Sequence, residues 1–247
     1  MRRLLPTTAA VDLDDAYAGF DPPTDWVALG MVGSLDGAVA VAGTSGALGG
    51  DGDLAAFRAL RSLGDVVVVG LGTAMAEDYR PTWPARHVSA RARRGQGPLP
   101  RLALVTGSGE VPEDHRVLGD PDHPPLVLTT TARADVARSR VRGRAEVVAV
   151  PATSDGRVDL QAAIAVLADQ GLTRVVCEGG PTLNNAMLAA GVVDELFVTV
   201  APTLVGGGTG IVGPELAGGP HALTLLELRV HGSELVCRYR WDGPTDR

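Results

Sequence analysis

The stretch VVCEGGPTLNNAML, from Val175 to Leu188, joins a short apolar run to a helical pattern through an acid, two glycines and a proline. Gly179 and Gly180 would let backbone N–H groups face a ligand, and Pro181 suits the first turn of a helix. Because a helix N-terminus attracts anions, the stretch predicts a phosphate cradle. Glu178 would repel a bare phosphate and is better suited to accept hydrogen bonds from the N–H groups of a substrate. A turn that leads into a helix without any ligand is the alternative.

Apolar runs like the one before Glu178 recur along the chain and predict the strands of a sheet. Most are continuously apolar, as expected for strands covered on both faces, whereas the last two alternate more and are separated by HGS, a hairpin signal. The runs are WVALGMV from Trp26, DVVVVG from Asp65, RLALVTG from Arg101, PLVLTT from Pro125, AEVVAV from Ala145, RVVCE from Arg174, ELFVTVAP from Glu195, LLELRV from Leu225 and ELVCRYR from Glu234.

Helical patterns fall between these runs and begin at Asp51, Thr131, Asp159 and Pro181. In the first pattern four apolar side chains share one face, namely Leu54, Phe57, Leu60 and Leu63. The alternation predicts an α/β layer fold whose mainly parallel central sheet ends in an antiparallel C-terminal hairpin. The Pro-, Gly- and Arg-rich segment 79–100 is predicted to be a long loop. We expect residues 1–247 to form a single domain with its core at about 26–241.

The composition is that of a globular protein without a basic bias. The 247 residues are 45% hydrophobic and carry a net charge of −7, which disfavours non-specific binding to nucleic acid or to an anionic membrane. Cys177 and Cys237 are too few for a disulfide framework, and their apolar neighbours predict buried free thiols. Arg2 and Arg3 are not followed by the apolar core of a signal peptide, and no apolar run approaches the ~20 residues of a membrane span. A cytoplasmic protein is predicted.

Several nucleotide and metal motifs fail in this sequence. GTGIVG at 208–213 has the letters of a dinucleotide fingerprint, but PELAGGP follows it and does not favour a helix, so a glycine-rich turn is predicted. VVVVGLGTAM from Val66 leads a buried strand into Gly70 and Gly72, which would let a ligand approach the backbone, although Met75 fills the third glycine position. There is no GxxxxGK[ST] sequence, no zinc deaminase signature and no histidine pair with ligand spacing. No metal site is predicted.

The sequence GSLDG, at 33–37, directly follows the strand predicted from Trp26. A Ser-x-Asp-Gly sequence commonly forms a β-turn, which is the simpler interpretation. The functional alternative is that Asp36, at the mouth of the sheet, hydrogen-bonds a polar substrate.

Three segments taken together resemble one family: MVGSLDGAVAVAGTSG at 31–46, FRALRSLGDVVVVGLGTAMAEDYRP at 57–81 and VVCEGGPTLNNAMLAAGVVDELFVTVAPTLVGGG at 175–208. Their order and spacing resemble the reductase half of the bacterial riboflavin-biosynthesis deaminase–reductase, from about Trp26 to the C-terminus. The resemblance implies a dihydrofolate reductase-like three-layer fold and a single reductase domain. It also implies NADPH-dependent reduction of 5-amino-6-(5-phosphoribosylamino)uracil, with hydride passing from nicotinamide C4 to C1′ of the opened ribose. Such chemistry depends on positioning and on a water-poor site.

The resemblance also assigns roles to individual residues. Asp36 and Glu178 are the candidate catalytic residues, with Asp36 near the nicotinamide and the substrate and with Glu178 holding the substrate. Ser45 is expected to contact the substrate, and Arg61 to bind the sugar phosphate, for which a bidentate guanidinium is well suited. An arginine that only ends its helix is the alternative for Arg61. The implied cofactor contacts are Gly33, Thr73, Glu77, Thr130, Gly179, Gly180, Pro181, Thr182, Leu183 and Asn184, and Arg133 could add charge beside Thr130.

Three features depart from the family pattern. Ala47 stands where the family commonly has an aromatic residue. The run after Thr73 is EDY, at 77–79, instead of two acids and a proline. A second phosphate-binding arginine is not aligned, although Arg80 and Arg86 are near.

These departures leave two other functions open. One is a dihydrofolate reductase-type enzyme that acts on a pterin or another pyrimidine, and the other is a nucleotide-binding module without catalysis. In each case a small molecule is the expected partner. The apolar strand LFVTV, from Leu196, is expected to be exposed and, with the terminal hairpin, to pair two chains in a homodimer, as is typical of the family.

Overall fold

Strands and helices alternate through most of the chain. The computed structural model describes residues 1–13, 15–80, 87–213, 216 and 220–244. The strands are β1 (Arg2–Leu5), β2 (Ala9–Ala10), β3 (Val27–Ser34), β4 (Val66–Gly70), β5 (Arg101–Val105), β6 (Leu126–Thr130), β7 (Glu146–Val150), β8 (Val175–Cys177), β9 (Glu195–Ala201), β10 (His221–His231) and β11 (Glu234–Pro244). The helices are α1 (Asp51–Leu63), α2 (Leu71–Ala76), α3 (Val88–Arg93), α4 (Ala134–Val141), α5 (Leu160–Asp169) and α6 (Pro181–Ala189).

These strands form a single sheet with the order β2-β1-β10-β11-β9-β3-β8-β4-β5-β6-β7. The strands from β9 to β7 run parallel to their neighbours, whereas β11, β10, β1 and β2 each pair antiparallel. The predicted mainly parallel sheet with an antiparallel C-terminal hairpin is therefore confirmed. The predictions missed β1 and β2, which are too short to show an alternating pattern and extend the hairpin side of the sheet.

Strand β4 shows why the central sequence forms a parallel sheet. Its four consecutive valines, at 66–69, are each at most 1% exposed. β-Branched side chains pack well on a pleated surface, and such a continuous apolar run requires cover on both faces.

Helices supply that cover and complete three layers. On one face, Leu160 and Leu167 of α5 and Met187 of α6 pack into the core. On the other face, Leu71 of α2 and Ala137 of α4 do the same. Helix α1 packs beside them over β3, β8, β9 and β11.

The carboxyl ends of the parallel strands place the loops that matter for function. The loops after β3, β4, β5 and β8 all leave the same edge of the sheet, because these strands are parallel. In open sheets of this kind, ligands bind in the crevice outside that edge.

The predicted long loop at 79–100 is partly wrong, because α3 lies within it. Alanine and arginine both have high helix propensity, which explains the helix in VSARAR. Arg91 anchors α3, since its buried guanidinium donates to the carbonyls of Ser62 at 3.0 Å, Gly64 at 2.6 Å and Gly97 at 2.8 Å. Residues 81–86, including Arg86, lie outside the described part of the chain.

The expected exposure of LFVTV is wrong. These residues, at 196–200, belong to β9, which pairs with β11 on one side and with β3 on the other. Leu196, Phe197 and Thr199 are buried. The strand is an inner strand of the sheet, so pairing between chains cannot use it as an edge.

The prediction of buried free thiols is confirmed for Cys177 and Cys237. Burial raises the pKa of the Cys177 thiol to about 12, so it is unreactive. Among the described helices, none combines the length and the apolar character that crossing a membrane requires. In the same residues no group of three or more His, Cys, Asp or Glu side chains could hold a metal ion.

Candidate active site

Three adjoining cavities lie along the carboxyl edge of the sheet. The first, here called the groove, has a volume of about 540 Å³ and is lined by Gly107 after β5, Arg157 after β7 and the first turn of α6. The central cavity, of about 530 Å³, lies against β3 and reaches Gly30, Asp53 and Glu178. The outer cavity, of about 380 Å³, lies between α1 and residues 98–100.

Shared lining residues make the three cavities continuous. The groove and the central cavity share Gly72, Thr73, Gly180 and Pro181. The central and outer cavities share Ser45, Leu54, Phe57, Glu77 and Tyr79. Two ligands that approach from opposite ends can therefore meet in the central cavity.

Two glycine loops cross where the groove meets the central cavity. The amide of Gly70, at the end of β4, donates to the carbonyl of Gly179 at 2.7 Å and ties the loops together. A Cβ built on Gly180 would lie 2.5 Å from Oγ1 of Thr73, so any larger residue would displace the Thr73 hydroxyl. The backbone of α6 begins directly behind this crossing, with Pro181 in its first turn.

The first turn of α6 faces the groove with only some of the residues predicted to bind cofactor. Pro181, Thr182 and Leu183 line the groove. Asn184 is fully buried, and its Nδ2 donates to the carbonyl of Ile211 at 2.7 Å. The Asn184 side chain therefore holds the glycine-rich segment around 206–213 and is not among the groove-lining residues.

Glu178 and Arg61 form a buried bidentate ion pair. The Nε of Arg61 lies 2.5 Å from Oε1 of Glu178, and its Nη2 lies 2.7 Å from Oε2. The hydroxyl of Tyr79 donates to the same Oε2 at 2.6 Å. Side-chain exposure is 19% for Arg61 and 1% for Glu178. The structure thus joins two residues that the sequence analysis assigns to different parts of the substrate, and their predicted roles stay predictions.

Burial and charge set the protonation of this trio. Burial alone would lower the pKa of Arg61, but the adjacent Glu178 carboxylate outweighs it and the pKa is raised. Burial, followed by the charge of Glu178, raises the pKa of Tyr79 well above its usual range. Arg61 is therefore a fixed cation and Tyr79 a neutral donor, and both hold the carboxylate in one orientation.

Ser45 and Glu77 lie together at the boundary of the central and outer cavities. The backbone amide of Ser45 donates to Oε1 of Glu77 at 2.6 Å. This bond ties the loop after β3 to the C-terminal end of α2. Both residues line both cavities, and their predicted substrate and cofactor roles stay predictions.

Asp36 and Gly33 are not among the residues that line the three cavities. The Asp36 carboxylate accepts hydrogen bonds from the Ser34 hydroxyl at 2.6 Å, the Gly206 amide at 2.7 Å and the Val205 amide at 3.1 Å. The bond from Ser34, followed by those from the two amides, lowers the pKa of Asp36 to about 2. In this structure Asp36 fastens the glycine-rich loop beside the cavity, and its predicted catalytic role stays a prediction.

The far end of the groove combines a predicted and an unpredicted region. Thr130 is buried at the end of β6, and Arg133 is exposed on the turn that follows. Neither is among the groove-lining residues, whereas Arg157 is. The guanidinium of Arg157 lies 3.1 Å from Asp155 at an exposed position. The signal in the sequence was the SDGR turn between β7 and α5, at the carboxyl edge of the sheet.

Helix α1 forms a wall of the outer and central cavities. Leu60 and Leu63 of the predicted apolar face are buried, but Leu54 is 44% exposed and lines both cavities with Phe57. Arg58 lines the outer cavity. The sequence analysis missed Arg58, although its position three residues before Arg61 places both on one helix face.

Arg80 and His87 also line the outer cavity. The guanidinium groups of Arg58 and Arg80 make the outer cavity the basic end of the site. Ala47, where the family has an aromatic residue, is exposed and does not line the cavities.

Comparison with known proteins gives consistent similarities. A sequence model of the RibD C-terminal domain matches residues 25–237. The chain is 36% identical over 183 residues to the 2,5-diamino-6-ribosylamino-4(3H)-pyrimidinone 5′-phosphate reductase of Methanothermobacter thermautotrophicus, a match that covers 74% of this chain and 80% of that protein. It is 30% identical to the riboflavin biosynthesis protein RibD of Mycobacterium tuberculosis over 70% of this chain and 41% of that protein. The chain thus spans less than half the length of RibD.

A solved structure has the same architecture. The crystal structure of a pyrimidine reductase-like protein from Corynebacterium diphtheriae superposes with a TM-score of 0.80 at 26% sequence identity. The match covers 94% of this chain and 99% of that one.

Proposed function

The chain belongs to the family of the RibD C-terminal domain, and on that premise we propose that it is an NADPH-dependent reductase of a phosphoribosylamino-pyrimidine in riboflavin biosynthesis. The observation that carries the proposal is the continuity of a glycine-walled groove with the central and outer cavities, which are lined by the two members of the Arg61–Glu178 ion pair. This arrangement lets a nucleotide and a nitrogen-rich substrate meet in one continuous space.

The groove fits a dinucleotide. Gly180 packs closely against the hydroxyl of Thr73, and the backbone of the first turn of α6 offers N–H groups to a diphosphate. Thr73, Gly180 and Thr182 would hold the cofactor there, and a reduced nicotinamide would supply the hydride when bound. At the other end, Arg157 is a cation for the extra phosphate that distinguishes NADPH from NADH.

The central and outer cavities suit the substrate. Glu178 faces the central cavity as an acceptor, which fits the N–H groups of a pyrimidine. Arg58 and Arg80 of the outer cavity are cations for its phosphate. Arg61 is paired with Glu178 and positions it. The proposal therefore assigns the substrate phosphate to Arg58 and Arg80 instead of Arg61.

The reaction asks little covalent chemistry of the protein. Opening of the ribose leaves a C=N bond between C1′ and the pyrimidine amine, and reduction adds a hydride to C1′ and a proton to nitrogen. The residues of this chain bind the two partners, fix the ring through Glu178 and exclude water with the apolar wall of Leu54 and Phe57.

Two substrates fit this proposal and differ in one ring substituent. The relative from M. thermautotrophicus is named for the 2-amino pyrimidine. The resemblance to the bacterial deaminase–reductase implies the deaminated uracil. Supplying each compound with NADPH, and following the loss of reduced-nicotinamide absorbance, tests both, with dihydrofolate as a third arm. Turnover of either phosphoribosylamino-pyrimidine supports the proposal, and turnover of dihydrofolate alone would overturn it.

A homodimer is part of the proposal. Leu223, Leu225 and Leu235 are exposed by 42%, 38% and 39% on the β10–β11 hairpin. Leu225 pairs with Tyr239, and Leu235 lies four residues before it, so Leu225 and Leu235 share one face. Light scattering should give twice the chain mass of 25.4 kDa. Leu225→Lys should reduce it to one chain mass, and an unchanged mass would exclude this face as the interface.

We also place the reaction in the cytoplasm. The free thiols of Cys177 and Cys237 are compatible with a reducing compartment, and NADPH is the reductant that the proposal requires. Fractionation of the source cells with an antibody to this chain tests the assignment.

A further inference from the structure

Two carboxyl groups meet at the N-terminus of α1. The carboxylate of Glu234, at the start of β11, accepts hydrogen bonds from the backbone amides of Gly50 at 2.7 Å and Gly52 at 2.9 Å. Asp53 lies in the first turn of the same helix. A carboxylate at this position is normally stabilised by the first amides and by the helix dipole. Here Glu234 has already taken those two donors.

Asp53 is enclosed against the central cavity. It lines that cavity, and its carboxyl lies so close to Gly49 that a Cβ at Gly49 would collide with it. It is hydrogen-bonded to the side chain of Thr199 of β9. Burial, with an added contribution from the negative charge of Glu234, raises the pKa of Asp53, while the bond with Thr199 opposes the rise.

Within the described ranges of the chain, the other groups around Asp53 do not supply a neutralising charge at hydrogen-bond distance. One neighbour is the phenol of Tyr17, in the N-terminal segment. The guanidinium carbon of Arg229 lies 4.3 Å from the centroid of the Tyr17 ring. From β10 comes His231, which packs against Gly52. The Arg61 cation of α1 is paired with Glu178.

The residues described above leave the proton of the reduction without a donor. Tyr79 is held as a donor to Glu178, and Asp36 is fastened to the glycine-rich loop. The mechanism therefore needs a proton-carrying group that reaches the same cavity, and Asp53 lines it. A pair of carboxyls whose surroundings differ in this way commonly divides into an ionised member and an acid.

We propose that Asp53 is a catalytic residue, the acid that delivers the proton consumed by the reduction. The hydride pair forms the new C1′–H bond, the π pair of C=N moves to nitrogen, and that pair takes the Asp53 proton to form N–H. Asp53 becomes a carboxylate and regains a proton from solvent before the next turnover. The inference rests on the proposed function, because it needs a C=N bond to protonate.

The protonation of Asp53 can be measured without substrate. Difference infrared titration of the wild type against Asp53→Asn should show a protonated carboxyl band that persists above the ordinary pH range of aspartic acid and is missing in the variant. Asp135→Asn is the matched control, since Asp135 also lies in the first turn of a helix but is almost fully exposed. A band that disappears in the ordinary range would overturn the inference.

The kinetic test follows the pH dependence of the single-turnover reduction. The wild-type rate should fall as the pH rises through the raised pKa of Asp53, because only the protonated form donates. Asp53→Asn should lower the rate by about 10²- to 10⁴-fold and abolish that fall, with NADPH affinity unchanged. Glu234→Gln removes the repelling charge, so the fall should move to lower pH.

The outcomes separate this inference from the proposed function. Wild-type protein that reduces neither pyrimidine contradicts the proposed function. Wild-type turnover together with an unaltered rate and pH profile in Asp53→Asn contradicts only the role of Asp53. If the asparagine variant does not fold, Asp53→Ala is measured in its place with the same expectations.

Discussion

The two walls of the site are built from different parts of the chain. The groove wall, defined by Gly70, Gly72 and Gly180, is made of backbone, and the bond of 2.7 Å from the Gly70 amide to the Gly179 carbonyl fixes the crossing of its two loops. The α1 wall, defined by Leu54, Phe57, Arg58 and Arg61, is made of side chains, and Arg61 is fixed by an ion pair with Glu178. Cofactor binding is therefore expected to fail when the backbone crossing is disturbed, and substrate binding is expected to fail when the ion pair is broken.

The largest expected effect is on the α1 wall. Glu178→Gln removes the charge that compensates buried Arg61, and we expect a stability loss of about 3 kcal/mol, because breaking a buried pair strands the remaining ion. The KM for the pyrimidine should rise strongly while the Kd for NADPH stays the same. Denaturant unfolding and separate titrations of the two ligands measure these effects.

A matched control for this change is Glu195→Gln. Glu195 forms a similar bidentate pair with Arg238, at 2.9 Å and 2.6 Å, away from the cavities. The Glu195→Gln variant should lose a comparable free energy of unfolding, and its KM for the pyrimidine should not change. If Glu178→Gln weakens NADPH as much as substrate, the separation between the two walls is wrong.

The next largest effect is expected from a substitution in the groove wall. Gly180→Ala places a Cβ 2.5 Å from Oγ1 of Thr73, so the Thr73 side chain or the loop that carries it must shift. Forced overpacking costs about 1–3 kcal/mol, and we expect NADPH to bind about 10- to 100-fold more weakly by fluorescence titration. Gly97→Ala is the control, because a Cβ there meets its nearest atom at 3.8 Å. Equal NADPH affinity in both variants would show that the crossing does not contact the cofactor.

The smallest effect is expected at the end of the groove that Arg157 lines. Arg157→Ser removes a cation from an otherwise backbone-built site. We expect about a tenfold loss of NADPH affinity and little change for NADH, since one hydrogen bond to a charged group contributes about 1.5–3 kcal/mol and this one is exposed. Arg138→Ser, which removes another exposed arginine paired to a nearby aspartate, is the control. Parallel losses for NADPH and NADH would place the extra phosphate elsewhere.

The sequence predicted the backbone-built wall better than the other. Gly179, Gly180 and Pro181 form a local signal, since the spacing of a strand, two glycines and a helix start is written in adjacent residues. Each predicted strand appears because its apolar run is continuous or alternates in a recognisable way.

The side-chain wall depends on contacts that no local pattern encodes. Arg61 and Glu178 lie 117 residues apart, and the two backbone amides that donate to Asp36 lie 169 and 170 residues after it. The role of Tyr79 was missed for the same reason, since its only local signal was a departure from the family's proline. A pattern read along the chain identifies which residues carry charge but not which of them neutralise one another.

The contact between Glu234 and the start of α1 has a consequence for the order in which the molecule is assembled. Its partners, Gly50 and Gly52, precede it by 184 and 182 residues. During synthesis the glycine loops of β4 and β8 are therefore complete before α1 receives its cap, because domains are made from the N-terminus onward. A chain that ends before β11 would contain both glycine loops but lack the carboxylate that caps α1, so the α1 wall depends on the last strand to be made.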